Sequence, residues 1–195
     1  IPYHPLGGGY LTGKYQPGAP RPAGTRGAAG SPIIDVMDTP ETHARVRRLE
    51  AVAAELGCSK EDVFVSSTGV IGRPLPVDKI RSAIPALSHA LSADGADLFS
   101  TAIMTTDTFP KVAEAHAGAA RFLGFAKGAG MIHPNMATML SYILTDAAID
   151  PAELERATRR AVDLSFHCIS IDGDTSTNDT VLVLANGASG VSLDR

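Results

Sequence analysis

The spacing of apolar positions along the chain predicts two amphipathic helices. Apolar side chains recur every three or four residues within residues 39–56 and again within residues 151–168. Thr39 and Asp150 are suitable N-caps, and a proline follows each of them at the first helical position. Gly57 provides a stop for the first helix. We therefore expect one helix over 40–56 and a second that begins at residue 151.

Short apolar runs without helical spacing predict buried strands. These runs lie at residues 63–65, 121–126, 138–144 and 180–185. Residues 76–100 are expected to be helical in pieces, broken at Pro85 and at Asp94-Gly95. Strands that alternate with helices fit the α/β class.

Composition changes along the chain and suggests two parts. Residues 1–40 hold many glycines and prolines, which favour loops with at most short structured pieces. We expect a Gly/Pro-rich segment with its helix over residues 1–61 and an α/β domain over residues 62–195. The chain begins at Ile1 without a methionine or a signal peptide, which is expected of a processed product or a fragment.

Overall composition is that of a globular protein. Hydrophobic residues make up 44% of the 195 residues and charged residues 19%, which argues against disorder. The net charge is −4 and the basic residues are spread along the chain, so a nucleic-acid surface is not expected. No apolar run approaches the roughly 20 residues needed to span a bilayer, so a membrane partner is not expected either. Cys58 and Cys168 are expected to be free thiols in a reducing, cytoplasmic compartment.

Two clusters of hydroxyl residues are expected to follow strands. In the first, Thr68-Gly69 can offer a hydroxyl and a close backbone amide to a developing oxyanion, or its glycine can simply shape a turn. The second spans 102–111 and includes Thr105. Hydroxyls beside one carboxylate suit binding of a small polar amine or amino acid, and they equally suit a hydrogen-bonded turn.

The Ala137-Thr138 pair lies between a glycine-containing turn and an apolar run. A threonine without a neighbouring histidine can be activated by becoming an N-terminus, because its freed α-amine then serves as the base. The alternative is an ordinary first residue of a strand, since β-branched residues are common there. The polar loop 172–179 is not a calcium loop, because Thr177 and Val183 replace the required glycine and glutamate.

Four motifs stand in one order along residues 62–195, and together they resemble the bifunctional ornithine acetyltransferase / glutamate N-acetyltransferase family of arginine biosynthesis. They lie at residues 67–72, 102–111, 127–140 and 172–180, the last together with residues 185–187. The resemblance implies the α/β fold of the self-processing ornithine acetyltransferase / aminopeptidase-like superfamily, with mixed sheets layered with helices. It also implies a cytoplasmic enzyme that acts on N-acetylornithine and glutamate.

The resemblance assigns a role to each matching residue. It implies self-cleavage between Ala137 and Thr138 into an α and a β chain that stay together as a hetero-oligomer. Thr138 would carry the acetyl group, with Thr68 and Gly69 stabilising the oxyanion. Thr105 and Lys127 would contact substrate, where the lysine charge suits an α-carboxylate. No metal or cofactor is implied, and acetyl-CoA as a further donor stays open.

Two other interpretations remain open at this stage. The family's pattern extends beyond residue 195, so the chain could be an inactive fragment or fusion that acts only in subunit association. Residues 1–57 instead resemble a segment of the aldo-keto reductases, through the run Pro5–Tyr15 and the helix that follows. The catalytic tyrosine, aspartate, lysine and histidine of that family lie in a barrel with no counterpart in this segment, so reductase activity does not carry over.

Overall fold

The computed structural model describes residues 18–23, 28–30, 35, 38, 50, 52–68, 76–130, 139–171 and 179–193. The chain forms two compact units, Ile1–Val65 with Val70–Ser92 and Ser66–Gly69 with Ala93–Arg195. The domain boundary expected between residues 61 and 62 stays a prediction. Within the described residues, none of the helices has the length and apolar character needed to cross a membrane.

The described end of the first predicted helix stops where the sequence indicates. Residues 52–56 are helical, and Gly57 follows with a φ of +66° that glycine adopts without strain. The amide of Cys58 donates to the carbonyl of Ala53 at 3.0 Å, a bond typical of a Schellman ending. The predicted N-cap at Thr39 lies outside the described residues.

Helix α1, Val77–His89, runs through Pro85, so the predicted break at that residue is wrong. Proline removes one backbone hydrogen bond and crowds the preceding turn, but it need not end a helix. Pro85 is exposed, and its carbonyl accepts a hydrogen bond from the Ser88 hydroxyl at 2.9 Å. The break at Asp94-Gly95 is confirmed, because α2 begins only at the next residue, as Ala96–Ala102.

The second unit contains a mixed four-stranded sheet, which confirms the α/β class. Its strands are β1 Lys111–Ala117, β2 Ala120–Lys127, β3 Leu140–Thr145 and β4 Thr180–Ala185. They lie in the order β1-β2-β3-β4, with β3 and β4 parallel and the other neighbours antiparallel. The bounds of β4 agree with its apolar run, and β2 and β3 agree within two residues. Strand β1 was not predicted, because its alanine-rich sequence has a largely exposed pattern.

Residues 63–65 do not form the predicted buried strand. Their backbone is extended, but Phe64 is 63% exposed and they pair with no strand in the described part of the chain. An apolar extended run becomes a strand only when another backbone satisfies its amides and carbonyls. The sequence also predicted that the hydroxyl cluster at 102–111 follows a strand. This prediction is wrong, because the cluster connects the end of α2 to the start of β1.

Helix α3, Pro151–Asp163, connects the parallel strands β3 and β4. Parallel neighbours require such a crossover, since a tight turn cannot join them. A carboxylate oxygen of Asp150 accepts from the amides of Ala152 and Glu153 at 2.9 and 3.2 Å, which confirms the predicted N-cap. The helix ends at Asp163 rather than Cys168, and Phe166–Cys168 form a separate 3₁₀ turn. Both cysteines are free thiols, as predicted.

Aromatic packing fixes α2 against one face of the sheet. The ring of Phe99 meets Phe125 and Tyr142 edge-to-face, with centroids 5.1 Å apart in each pair. Phe125 and Tyr142 are register partners on β2 and β3, so their side chains share that face. This contact also holds the loop that follows α2 close to the end of the sheet where β2 finishes.

Candidate active site

The residues that could form a functional site lie at one end of the sheet. Lys127 at the end of β2 is the register partner of Leu140 at the start of β3, which in turn pairs with Thr180 at the start of β4. Strand β1 also begins at this end, at Lys111. Residues 69 and 131–138, which include Gly69, Ala137 and Thr138, lie outside the described residues.

Lys127 is the most deeply buried charged residue described in this unit, with 1% of its surface exposed. Its Nζ donates to the Thr68 hydroxyl at 2.9 Å, across 59 positions of sequence. Burial lowers the pKa of Lys127, although the negative charges of Asp107 and Asp179 act in the opposite direction. The fold therefore brings together two of the predicted site residues, Thr68 and Lys127.

The segment before Thr68 is held by a second side-chain contact. The Ser66 hydroxyl forms a hydrogen bond with the phenol of Tyr142 on β3. Alternate side chains of an extended segment point the same way, so Ser66 and Thr68 can both face the sheet while Ser67 is exposed. These two bonds attach the first hydroxyl cluster to the end of the sheet that carries Lys127.

Asp107 attaches the second hydroxyl cluster to the end of the sheet that carries Lys127. Its side chain is fully buried and accepts hydrogen bonds from Lys111 Nζ, from the Gly128 amide at 2.7 Å and from the Thr105 amide at 3.2 Å. Burial alone would raise the pKa of Asp107, but these bonds outweigh it and hold the pKa at about 2. Gly128 has a φ of +137°, a conformation that favours glycine.

Thr105 reaches this network through its backbone rather than its side chain. Its amide donates to Asp107, and the residue is exposed to solvent. The pair Asn186-Gly187, which belongs to the fourth motif, lies at the opposite end of the sheet, where the Asn186 side chain accepts from the Ala188 amide at 2.9 Å and shapes a turn. Asn186 borders an open depression that is also lined by residues such as Arg121, Leu144 and Asp146, and the pair does not join the site.

Asp179 directly precedes β4 and faces the start of β3. Its Oδ1 accepts a hydrogen bond from the Met139 amide at 2.6 Å. Its Oδ2 is buried and has no hydrogen-bond partner within the described part of the chain. Burial raises the pKa of Asp179 to about 6, although the Met139 amide and the charge of Lys127 act to lower it.

This arrangement is suited to binding a small charged molecule. Lys127 has three N–H donors and uses one of them in the described contacts, so two can meet a carboxylate. The described residues hold no cluster of three or more His, Cys, Asp or Glu side chains that could bind a metal ion. The described residues therefore provide the buried ammonium of Lys127, the hydroxyl of Thr68 and the carboxylate of Asp179, one oxygen of which has no hydrogen-bond partner among them.

Residues 40–195 match the ArgJ family over four-fifths of the chain. The chain belongs to the ArgJ family. It is 55% identical over 144 residues to the arginine biosynthesis bifunctional protein ArgJ of Geobacter sulfurreducens, covering 71% of this chain and 36% of that protein. It is 56% identical over 151 residues to the protein of the same name from Symbiobacterium thermophilum, covering 75% and 37%.

A third relative is the glutamate N-acetyltransferase Oat2 of Streptomyces clavuligerus, 47% identical over 150 residues, which cover 77% of this chain and 38% of that protein. The chain therefore spans little more than a third of the length of the curated relatives it matches. The predicted membership of an arginine-biosynthesis acetyltransferase family is confirmed. The family match begins at residue 40, inside the segment that resembles aldo-keto reductases, and the relatives give that resemblance no support.

Three charged residues at this end of the sheet were not assigned a site role from the sequence. Asp107 and Lys111 lie within the second hydroxyl cluster, and their four-residue spacing was the available sign of a charged pair. Asp179 ends the polar loop before β4, and a carboxylate directly before a buried apolar strand was the available sign of a buried acid. Neither sign distinguishes a site residue from a surface residue without the register of the strands.

Replacing Asp107 by asparagine is expected to lower the free energy of unfolding at pH 7 by about 2 kcal/mol, the equivalent of the shift in its pKa. The folded pKa is below the unfolded value of 3.8, so this stabilisation is present above pH 4 and is lost as the pH falls toward 2. Urea unfolding followed by near-ultraviolet circular dichroism at pH 7 and at pH 2.5 measures both effects.

Glu114 is the matched control for Asp107, because it is an exposed carboxylate on the neighbouring strand β1. Glu114→Gln is expected to change the free energy of unfolding by no more than about 0.5 kcal/mol. Equal losses for the two variants at pH 7 would contradict the anchoring role of Asp107. So would a loss for Asp107→Asn that is unchanged at pH 2.5.

Proposed function

We propose that this chain carries the nucleophile and part of the substrate pocket of an N-acyltransferase that moves an acetyl group from N-acetylornithine to glutamate. The observation that supports this most is the buried ammonium of Lys127 bonded to the hydroxyl of Thr68, at the end of the sheet where β3 starts. Thr138 precedes that strand by two residues in the chain.

The first step is self-cleavage. The Thr138 hydroxyl attacks the carbonyl carbon of Ala137, the carbon–nitrogen bond breaks, and the Thr138 nitrogen takes up a proton. The resulting ester is hydrolysed by water, which leaves a carboxylate on Ala137 and a free α-amine and hydroxyl on Thr138. Such an amine has a pKa of about 7.7–8.0, so it can accept a proton near neutral pH.

The second step is acetyl transfer in two halves. The α-amine of Thr138 accepts the hydroxyl proton, and the oxygen attacks the acetyl carbonyl of N-acetylornithine. Ornithine leaves with that proton on its amine, and an acetyl ester remains on Thr138. The amine of glutamate then attacks the ester, which forms N-acetylglutamate and restores the hydroxyl. The acetyl group arrives on a substrate, so the exchange needs no bound cofactor.

Thr68, Gly69, Lys127 and Thr105 assist these steps. A hydroxyl can accept one hydrogen bond and donate another, so the bond from Lys127 leaves the Thr68 hydrogen available for the developing oxyanion. The Gly69 amide is the second oxyanion donor. The remaining N–H groups of Lys127 bind the substrate α-carboxylate, and Thr105 contacts the substrate from the exposed loop that connects α2 to β1.

The two cleaved segments are proposed to stay associated, in the cytoplasm. Strands β2 and β3 support this, because they lie on opposite sides of the cleavage position in sequence and are paired along six register positions. Cutting the chain between them leaves that ladder intact. The chain spans 36–38% of its relatives' lengths, and we expect it to show weak or no exchange when purified by itself.

A graft into a longer relative tests the function. The aligned segment of this chain replaces its counterpart in the Geobacter sulfurreducens protein, and exchange between N-acetylornithine and labelled glutamate is measured. We expect robust exchange by the graft and none when it carries Thr138→Ala, because no other group holds the acetyl ester. A graft that melts at the temperature of its parent but transfers no acetyl would contradict the proposal.

A further inference from the structure

We infer that Tyr142 is a positioning residue for Thr68, because its hydroxyl bonds to Ser66 and so holds the segment that presents the Thr68 hydroxyl to the site. This role rests on the proposed function. It deepens that function by assigning the group that keeps an oxyanion donor in place. The bond from Lys127 to Thr68 would by itself attach the segment at one point.

Side chains hold the segment that carries Thr68. Residues 63–68 form neither helix nor strand, and residues 64–68 make no backbone-to-backbone hydrogen bond within the described part of the chain. The second unit nevertheless includes Ser66–Gly69, although the residues on either side of it belong to the first unit. Among the described residues, the hydrogen bonds of residues 64–68 are those made by the Ser66 and Thr68 hydroxyls. The position of Thr68 therefore depends on these two bonds.

The two partners of this segment lie on one face of the sheet. Phe125 on β2 is the register partner of Tyr142 on β3, and Lys127 lies two positions beyond Phe125. Tyr142 and Lys127 are therefore diagonal neighbours across the two strands, and such residues are about 7–8 Å apart. Side chains two positions apart in an extended chain point the same way and are about 7 Å apart. The spacing of the two hydroxyls on the segment thus matches the spacing of their partners on the sheet.

The phenol of Tyr142 is the rigid member of this pair of partners. Strand β3 is paired on both sides, with β2 and with β4, so the backbone of Tyr142 is fixed. The ring meets that of Phe99 edge-to-face, with centroids 5.1 Å apart. A tyrosine side chain has only two torsions, so this packing determines where the hydroxyl lies. Lys127 instead reaches Thr68 through a flexible four-carbon stem, and its bond alone leaves the Thr68 hydroxyl free to shift.

The test measures self-cleavage of the complete 195-residue chain by intact mass at pH 7.5. Thr68→Ala is expected to be about 100-fold slower than wild type, because it removes one oxyanion donor. Tyr142→Phe and Ser66→Ala break one bond from its two sides. Each is expected to be about tenfold slower, since a displaced donor keeps part of its effect. Near-ultraviolet circular dichroism checks that each variant is folded, and if only one of the two folds, its rate decides the outcome.

Combined variants separate positioning from a general loss of structure. The chain with both Tyr142→Phe and Ser66→Ala should be no slower than either single variant, because the two changes remove the same bond. In a Thr68→Ala chain, Tyr142→Phe should cause no further loss, because no hydroxyl is left to position. A further tenfold loss in that chain would contradict the inference, since Tyr142 would then act on cleavage without Thr68.

Ser189→Ala is the matched control. The half-buried hydroxyl of Ser189 also bonds next to β3, where it donates to the carbonyl of Asp146 at 2.8 Å, but at the opposite end of the sheet. This variant is expected to cleave at the wild-type rate. Wild-type rates for Tyr142→Phe and Ser66→Ala, beside a slow Thr68→Ala, would contradict the inference and leave the proposed function standing. A wild-type chain that never cleaves would contradict the proposed function and this role with it.

Discussion

Replacing Asp179 by asparagine is expected to stabilise the folded chain at pH 7 by about 2 kcal/mol. Burial raises the pKa of this carboxyl from 3.8 to about 6, which is equivalent to about 3 kcal/mol, and partial exposure to solvent reduces the expected gain. Asparagine keeps an oxygen that can accept the Met139 amide and removes the buried charge. A residue that lowers stability in this way is typical of a functional site.

The pH dependence gives this prediction a definite sign. Because the folded pKa is raised, the carboxylate destabilises the fold above about pH 6 and has no effect below pH 4. The advantage of Asp179→Asn in urea unfolding should therefore be full at pH 7 and disappear at pH 4. Asp146→Asn, which loses a charge at the other end of the sheet, is expected to show no gain. An Asp179→Asn chain no more stable than wild type at pH 7 would contradict the burial argument.

The Lys127→Met change is expected to reduce acetylation by N-acetylornithine at least about 100-fold in the grafted enzyme. Removing one partner of a buried charge pair costs about 2–5 kcal/mol, and the substrate carboxylate would lose its cation. Transfer from p-nitrophenyl acetate, which has no α-carboxylate, should fall much less. Methionine has a similar length and no charge, so it keeps the packing of the buried Lys127 stem while removing the ammonium.

Lys79 supplies the control for this change. It is an exposed lysine on α1, outside the unit that contains the sheet. Lys79→Met should leave transfer from both donors unchanged. Equal losses of Lys127→Met with both donors would mean that Lys127 acts on the oxyanion through Thr68 and not on the α-carboxylate. Full activity of that variant with N-acetylornithine would exclude Lys127 from the pocket.

Capping residues, a glycine stop and an apolar run correctly predicted those helix and strand ends that depend only on residues close in sequence. The N-cap of α3 at Asp150 and the ending at Gly57 follow from capping side chains and from glycine's freedom at positive φ. The bounds of β4 follow from an apolar run enclosed by polar residues. Thr68 and Lys127 were also named in advance, because they stand in motifs that resemble a known family.

Other features depend on contacts that no local pattern contains. The bond between Lys127 and Thr68 requires the end of β2 to meet a segment 59 positions away, and the burial of Asp107 requires α2 to pack on the sheet through Phe99. Strand β1 was not predicted, because an exposed edge strand needs few large apolar residues. Residues 63–65 have strand-like composition but no backbone partner among the described strands.

The central claim is that Thr138 becomes an N-terminus and acts as the nucleophile. Intact-mass spectrometry of the purified 195-residue chain, beside its Thr138→Ala variant, tests this most directly. We predict two wild-type fragments, 1–137 and 138–195, and a single uncut mass for Thr138→Ala. A wild-type chain that keeps one full-length mass over several days, or one cut at another position, would contradict the account.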